Sequence, residues 1–284
     1  MLKLDNISVT FNAGTNNEVR ALKEVSLSLE EGDFVTVIGS NGAGKSTLFG
    51  VIAGAATADS GQIHLDGRDI THWPEYKRSQ VIGRVFQDPR LGTCPGLTIR
   101  ENLSLAAIHG RRTGLRRDVK QDQEQWFRDE LASQNLGLEE RLDTDVALLS
   151  GGQRQSITLI MATLVKPKLL LLDEHTAALD PKAAEQIITL TRELADRYEM
   201  STVMITHSMQ QACDLGSRVI MMHQGEIVFD ISGRERYQLT PADLIDRFHS
   251  LDNAELSDAQ VLGQTGSFSQ KDLISLARTS SRNR

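Results

Sequence analysis

The segment Phe34-Val35-Thr36-Val37-Ile38-Gly39-Ser40-Asn41-Gly42-Ala43-Gly44-Lys45-Ser46-Thr47 decides the fold of this chain. An apolar, β-branched run leads into a glycine-rich turn, and the spacing predicts a helix that begins near Gly44. The turn matches G-x-x-x-x-G-K-[ST], in which curled backbone N–H groups and a positive helix end surround an anion. Lys45 can reach the β- and γ-phosphates of a nucleoside triphosphate, and the Ser46 hydroxyl can bind Mg²⁺. We therefore predict that residues 39–47 bind a nucleoside triphosphate.

The composition is that of an ordinary globular protein. The 284 residues are 39% hydrophobic and 24% charged, with a formal net charge of −7 that argues against nucleic acid as a direct partner. No run approaches the ~18 uncharged apolar residues of a membrane span, and no secretory signal begins the sequence. We expect the chain to stay in the cytosol. Cys94 and Cys213 lack metal-ligand spacing and indicate no disulfide framework.

Short apolar runs predict two kinds of sheet. Residues 2–11, 25–29 and 63–67 alternate or nearly alternate, which indicates an N-terminal antiparallel β-subdomain. Residues 81–86, 169–172 and 202–206 are continuously apolar or β-branched, as in buried parallel strands. The fold class that follows is α/β, with a phosphate-loop core around a mainly parallel sheet.

A helical subdomain is predicted between the core strands. Thr98 and Glu101 form a capping-box pattern, and a polar, helix-favouring run covers residues 122–134. The subdomain covers roughly residues 90–148, or 90–165 with the helix that follows. Its basic residues could contact phosphates or acidic lipid headgroups, but the lack of interleaved aromatic residues favours a solvated loop. These basic residues are Arg111, Arg112, Arg116, Arg117 and Lys120.

The composition changes again near the end of the chain. Residues 249–284 are rich in Ser, Asn, Asp, Gln and Arg, which predicts a weakly ordered tail with a possible amphipathic turn at residues 272–277. The rest, residues 1–248, is expected to form one domain.

Polar residues at strand ends suggest phosphate chemistry. Asp173 ends an apolar strand and can hold Mg²⁺, while Glu174 can accept a proton from the attacking water. Gln87 ends another strand and can contact Mg²⁺ or that water, because an amide both donates and accepts. His207, at the end of a third strand, can donate to the γ-phosphate.

A second anion-binding turn is predicted at Ser150, Gly151, Gly152 and Gln153, where bare N–H groups, a hydroxyl and a helix dipole coincide. One triphosphate does not need two such turns. We expect the second turn to serve a nucleotide held by another copy of the chain, so that a homodimer encloses two nucleotides.

The motifs in this order resemble the ATP-binding cassette (ABC) ATPases, and specifically the nucleotide-binding subunit of an ABC transporter, over residues 1–248. The resemblance assigns residues 39–47 to Walker A, Gln87 to the Q-loop, residues 149–153 to the signature and residues 169–173 to Walker B. It makes Glu174 the catalytic glutamate, His207 the switch histidine, Asp180 part of the D-loop and Phe11 the ring that stacks on adenine, although the family usually has tyrosine there. Two departures, His175 in place of proline and Ala177-Ala178 where serine is common, put hydrogen bonds of the D-loop in doubt.

The resemblance also implies a mechanism and partners. ATP and Mg²⁺ close the dimer, Glu174 activates water, and the motion passes to a separate permease that binds between Arg84 and Thr98. The compact cassette is similar to importer subunits, which sit on the cytoplasmic face of the inner membrane and work with an extracytoplasmic substrate-binding protein. The runs at residues 174–180 and 206–211 are similar to a subgroup linked to import of amino acids.

Two other classes of protein also contain a phosphate loop. A non-transport ABC ATPase that acts on ribosomes or DNA usually carries two cassettes, coiled-coil insertions or zinc modules, none of which fits in this chain. A phosphate-loop kinase or GTPase is disfavoured because the signature turn has no role there.

Overall fold

The computed structural model describes residues 1–108, 121–133 and 137–251. The basic residues at 111–120 and the tail turn at 272–277 lie outside these ranges. The strands are β1 (Leu2–Phe11), β2 (Val19–Leu29), β3 (Phe34–Gly39), β4 (Ser60–Leu65), β5 (Arg68–Asp69), β6 (Ile82–Val85), β7 (Leu169–Asp173), β8 (Ser201–Ile205), β9 (Arg218–His223) and β10 (Glu226–Ser232). The α-helices are α1 (Lys45–Ala53), α2 (Glu75–Arg78), α3 (Ile99–Ile108), α4 (Gln121–Ala132), α5 (Gly151–Thr163), α6 (Pro181–Arg197), α7 (Met209–Leu215) and α8 (Gly233–Gln238).

These strands form two sheets, as predicted. The first is antiparallel, in the order β2-β1-β4-β5. The second has the order β10-β9-β3-β8-β7-β6; its neighbours pair in parallel except β10, which returns antiparallel to β9. The predicted α/β fold class is confirmed. The turn between β9 and β10 has positive φ at Gln224 and Gly225, as a two-residue hairpin turn requires.

Strand β7 lies inside the second sheet, between β8 and β6. Its four leucines, residues 169–172, are fully buried, because the strand has a neighbour on each side and is covered on both faces. Helix α6 packs through one apolar face, with Ile187, Leu190 and Leu194 at helical spacing in the same core cluster as β7 and β8. The strand ends that carry polar residues are therefore held by a rigid layer.

The inserted helices have a core of their own. Residues of α3, α4, α5 and the segment 138–149 form one apolar cluster. The predicted capping box opens α3: Thr98 N–H donates to Glu101 Oε2 at 2.8 Å, and Glu101 N–H donates to Thr98 Oγ1 at 3.2 Å. Arg100 bonds both Glu124 on α4 and Asp143, so it ties two parts of the helical subdomain together.

The chain divides into two compact units, Met1–Leu239 and a second unit that begins at Thr240. The described part of the second unit is a helix over residues 241–251, which Thr240 and Asp243 cap through reciprocal hydrogen bonds. The domain boundary at residue 248 stays a prediction. Among the residues that the structure describes, none of the helices is both long and apolar enough to span a membrane.

Candidate nucleotide-binding and hydrolysis site

The phosphate loop lies between β3 and α1, where the sequence placed it. Gly44 precedes the helix with φ +97°, in the left-handed region that favours glycine. A Cβ there would lie 2.4 Å from Ala21 O, and one at Gly39 would lie 2.3 Å from Met222 O. The two motif glycines are therefore required by close backbone approach as well as by turn geometry.

Lys45 is held under this loop. Its side-chain amine donates to Gly39 O and Ser40 O, both at 2.9 Å, and the residue is only 5% exposed. Burial lowers the pKa of Lys45, whereas the negative charges of Glu174 and Asp173 raise it. An ammonium has a further N–H to donate, so Lys45 can hold the loop and bind a phosphate oxygen together. Its electrostatic coupling to both carboxylates places the end of β7 beside the loop.

Asp173 is paired with an arginine that the sequence reasoning did not single out. Arg84 Nη2 lies 3.4 Å from Asp173 Oδ2, and the Arg84 guanidinium stacks over the Phe86 ring at 4.6 Å. Burial raises the pKa of Asp173, and the positive charge of Arg84 opposes that shift. The sequence could have pointed to Arg84, because it is a charged residue inside the apolar run at residues 81–86. Its partner, Asp173, follows only from the strand order, in which β6 lies next to β7.

Glu174 and His207 contact each other directly. Glu174 Oε1 lies 2.7 Å from His207 Nε2; the carboxylate side chain is 14% exposed and the imidazole side chain 47% exposed. They follow β7 and β8, which are parallel neighbours, so the carboxyl ends of the strands bring them together. Glu174 has φ +46°, a left-handed conformation that is costly for a residue with a side chain, and its N–H donates to Ile205 O at 3.1 Å.

Gln211 on α7 links the two loops that follow these strands. Its Oε1 accepts from Thr206 Oγ1 at 2.8 Å, and its Nε2 donates to Thr176 Oγ1 at 3.3 Å. Thr206 immediately precedes His207, and Thr176 lies two residues after Glu174. Gln211 therefore connects the segment that carries Glu174 with the segment that carries His207. The sequence analysis did not predict this role of Gln211.

The second turn is a capping box at the start of α5. Gln153 N–H donates to Ser150 Oγ and Ser150 N–H donates to Gln153 Oε1, both at 3.2 Å. The prediction of bare N–H groups is wrong for Ser150 and Gln153, because each of these two N–H groups is hydrogen-bonded within the turn. Gly151 and Gly152 supply the remaining N–H groups of the first helical turn.

Further contacts connect α5 with neighbouring loops. Gln155 is buried, and its Nε2 lies 3.4 Å from Phe86 O, beside Gln87. A Cβ at Gly152 would lie 2.9 Å from Ala183 Cβ. Asp180 caps α6 by accepting from Ala183 N–H at 3.0 Å, so the doubt about D-loop hydrogen bonds does not extend to this cap. The signature turn and the Asp180 turn of one chain are thus neighbours.

The remaining site residues are on the surface. Gln87 is exposed and lies two residues after the end of β6. Phe11 ends β1 opposite Val19 and is 44% exposed. The structure thus gathers Lys45, Asp173, Glu174 and His207, and it places Ser150–Gln153 beside Asp180 as a second group.

This arrangement is that of a known family. Residues 22–177 match the ABC transporter family. The chain belongs to this family. A tyrosine transport ATP-binding protein of Clostridioides difficile (strain R20291) is 44% identical over 248 residues, which cover 87% of this chain and 98% of that protein. The methionine import ATP-binding protein MetN of Streptococcus agalactiae serotype III (strain NEM316) is 34% identical over 272 residues, 92% of this chain and 73% of MetN.

Solved structures agree with the sequence relatives. The ATP-binding cassette MJ0796, in a dimeric post-hydrolysis state bound to ADP and phosphate, has a TM-score of 0.71 at 29% identity and covers 82% of this chain and 98% of its own. The cbiO1 subunit from Clostridium perfringens has a TM-score of 0.69 at 25% identity and covers 87% of this chain and 93% of its own. The chain is an ABC ATPase, as the motifs predicted. A kinase or GTPase is excluded, and an ATPase acting on ribosomes or DNA is not favoured.

Proposed function

We propose that this ABC ATPase powers the import of a small solute, such as an amino acid, through a separate membrane permease. The observation that carries the ATP-hydrolysis part of the proposal is the Glu174–His207 pair at 2.7 Å, at the strand ends beside the phosphate loop. The import function is supported by the relatives, whose names are those of tyrosine transport and methionine import proteins.

In this proposal Glu174 is the general base of hydrolysis. Its carboxylate accepts a proton from the water that attacks the γ-phosphate, and His207, whose Nε2 lies 2.7 Å from Glu174 Oε1, orients the carboxylate. Lys45 and the loop N–H groups hold the β- and γ-phosphates. The low exposure of Glu174 restricts water around the carboxylate, which strengthens electrostatic interactions at the reacting group.

The residues present also fit Mg²⁺. Ser46, Asp173 and Gln87 offer oxygen donors, which this ion prefers. Mg²⁺ usually takes few protein ligands together with phosphate oxygens and water. When bound, the ion neutralises charge that develops on the phosphates.

The nucleotide site is completed by a second copy of the chain. The Ser150–Gln153 turn presents a hydroxyl and the first N–H groups of α5, a 13-residue helix whose positive end attracts anions. In a head-to-tail homodimer this turn reaches the γ-phosphate bound by its partner, while Phe11 stacks on adenine within the same chain. MJ0796 has been solved as a dimer bound to ADP and phosphate, which supports this arrangement.

A groove near Gln87 suits the permease. It has a volume of about 410 Å³ and is lined mainly by apolar groups of β6, the loop after it, α3 and α5. Leu91 and Leu105 line the groove and are largely exposed. The stretch from Arg84 to Thr98 supplies much of the wall, including Phe86 and the exposed Cys94. We assign this groove to a helix of the permease, which places the chain on the cytoplasmic face of the membrane.

The proposal is tested by reconstitution. The chain would be purified together with its membrane permease, placed in proteoliposomes, and assayed with the cognate substrate-binding protein and a panel of amino acids. We expect ATP hydrolysis to rise when the binding protein carries its substrate. Cys94 should form a cross-link to a cysteine introduced in a cytoplasmic permease helix, and Cys94→Ser should abolish it. Co-purification with ribosomes or DNA in place of the permease would contradict the proposal.

A further inference from the structure

His175 follows Glu174 directly and is inside the protein. The residue is 2% exposed, and its Nε2 lies 2.9 Å from Oγ1 of Thr191, a buried residue on α6. The imidazole therefore places a buried hydrogen-bonding group next to Glu174.

The direction of this hydrogen bond follows from the contacts of Thr191. Its hydroxyl donates to Ile187 O at 2.7 Å, and a carbonyl oxygen can only accept. The hydroxyl hydrogen is therefore used, and the His175 ring nitrogen must donate to Thr191 Oγ1. A chain of two bonds runs from the His175 imidazole through Thr191 to the backbone of α6.

The segment that His175 anchors carries a strained residue. Glu174 has φ +46°, and such conformations persist only where the surroundings hold them in place. Glu174 N–H is bonded to Ile205 O on β8, Glu174 O accepts from Ala177 N–H at 3.0 Å, and Thr176 is bonded to Gln211 on α7. The His175–Thr191 bond adds a buried link from the residue next to Glu174 to the third element, α6.

We propose that His175 is a positioning residue: its bond to Thr191 sets the direction of the Glu174 carboxylate toward the attacking water. The inference rests on the proposed role of Glu174 as general base. Helix α6 also begins at the Asp180 cap, beside Gly152 of the signature turn. One helix thus holds both the Glu174 segment and the turn next to the signature.

The first test is Thr191→Val, which removes the acceptor with almost no change in shape. We expect kcat for ATP to fall about tenfold, because a misplacement of about 1 Å can cost roughly 10²-fold in rate. The Kd of a non-hydrolysable ATP analogue should stay within about twofold, since the phosphate loop is unchanged. Thr191→Ser keeps the hydroxyl and should restore kcat to near the wild-type value.

A second test separates positioning from a loss of stability. Thr163 is buried near the end of α5, and its hydroxyl donates to Leu159 O and Ile160 O of its own helix. Thr163→Val should shift the urea midpoint but leave kcat unchanged. Nitrogen-15 NMR should detect a slowly exchanging His175 Nε2–H in the wild type and in Thr191→Ser, with fast exchange in Thr191→Val.

The outcomes are distinct. An unchanged kcat in Thr191→Val, or an equal fall in Thr163→Val, would overturn the positioning role. Glu174→Gln, assayed beside them, tests the proposed function itself: if that variant still hydrolyses ATP at the wild-type rate, the role of Glu174 fails whatever Thr191→Val does. If Glu174→Gln is inactive but Thr191→Val matches the wild type, the inference about His175 fails while the role of Glu174 stands.

Discussion

Arg84 Nη2 lies 3.4 Å from Asp173 Oδ2, and both side chains are mostly buried, at 19% and 15% exposure. Arg84 also lines the apolar groove beside Gln87, where its guanidinium stacks over Phe86. One side chain therefore contacts both the carboxylate proposed to bind Mg²⁺ and the groove proposed to bind the permease. Parallel pairing of β6 with β7 creates this contact.

Replacement of Arg84 tests the ion pair. Arg84→Met should lower the free energy of unfolding at pH 7 by about 1–2 kcal/mol, because a partly buried carboxylate loses a charged partner. Burial already raises the pKa of Asp173 and Arg84 opposes that shift, so the variant should raise this pKa further. The loss of unfolding free energy in Arg84→Met should be smallest at low pH, where Asp173 is protonated in the folded and in the unfolded chain. It should grow as pH rises through the folded-state pKa of Asp173.

Urea unfolding of this variant between pH 4 and pH 8, in the absence of nucleotide, measures the effect. Arg90→Met is the matched control, since Arg90 and Asp88 form an exposed pair. Exposed pairs contribute roughly 0–1 kcal/mol, so the control should change little. A deficit in Arg84→Met that is independent of pH would contradict the electrostatic explanation.

Glu174→Gln tests the general base. The amide keeps the size and a hydrogen bond to His207 but cannot accept the proton from water. We expect ATP binding to be retained, phosphate release to be abolished, and an ATP-bound dimer to accumulate, as measured by size-exclusion chromatography with and without ATP. Phosphate release at an undiminished rate would show that another group activates the water.

Ser150→Arg tests whether the signature turn acts on the nucleotide of a partner chain. The large cation removes the Ser150 side-chain cap and blocks the first turn of α5. We expect hydrolysis to be lost while the monomer binds ATP with unchanged affinity, measured by fluorescent-nucleotide titration under dilute conditions. Mixing this variant with Lys45→Ala should restore partial activity, since such a heterodimer contains one intact site. Weak ATP binding by the Ser150→Arg monomer would place the turn in the site of its own chain.

His175→Leu tests the acid sensitivity of the fold. Burial lowers the pKa of His175 from 6.5 to about 4, so the unfolded chain binds a proton in this range and the folded chain does not. The wild type should lose stability as pH falls from about 6.5 to 4, by about 3 kcal/mol from this residue at about 1.4 kcal/mol per pKa unit.

In His175→Leu that part of the pH dependence should vanish. Urea midpoints of the wild type and the variant, compared at pH 7 and pH 4.5, measure it, with the exposed His72→Gln as control. Equal slopes for all three proteins would show that His175 does not contribute the loss.

Local patterns in the sequence were sufficient for several features of the site. The glycine spacing at residues 39–47 predicted the phosphate loop because only glycine fits where the backbone comes close to Ala21 and Met222. The Thr98–Glu101 and Asp180 caps were found because capping depends on residues three apart. The two sheets followed from the difference between alternating and continuous apolar runs.

The capping box at Ser150 and Gln153 is also a local pattern, and the prediction of bare N–H groups overlooked it. Other features depend on residues far apart in the chain. No sequence pattern singled out Gln211, Gln155 or Thr191. The role of a polar side chain inside the protein depends on the group with which it forms a hydrogen bond in the folded chain.

The sequence by itself determined the family to which the chain belongs and predicted which residues carry the phosphate chemistry, because motif spacing and short apolar runs are local properties. The tertiary structure decided the pairs Arg84–Asp173, Glu174–His207 and His175–Thr191. Those contacts exist because the strand order β3-β8-β7-β6 aligns strand ends, and because α6 packs against the layer they form. A strand order is set by the packing of the whole core, which no local pattern specifies.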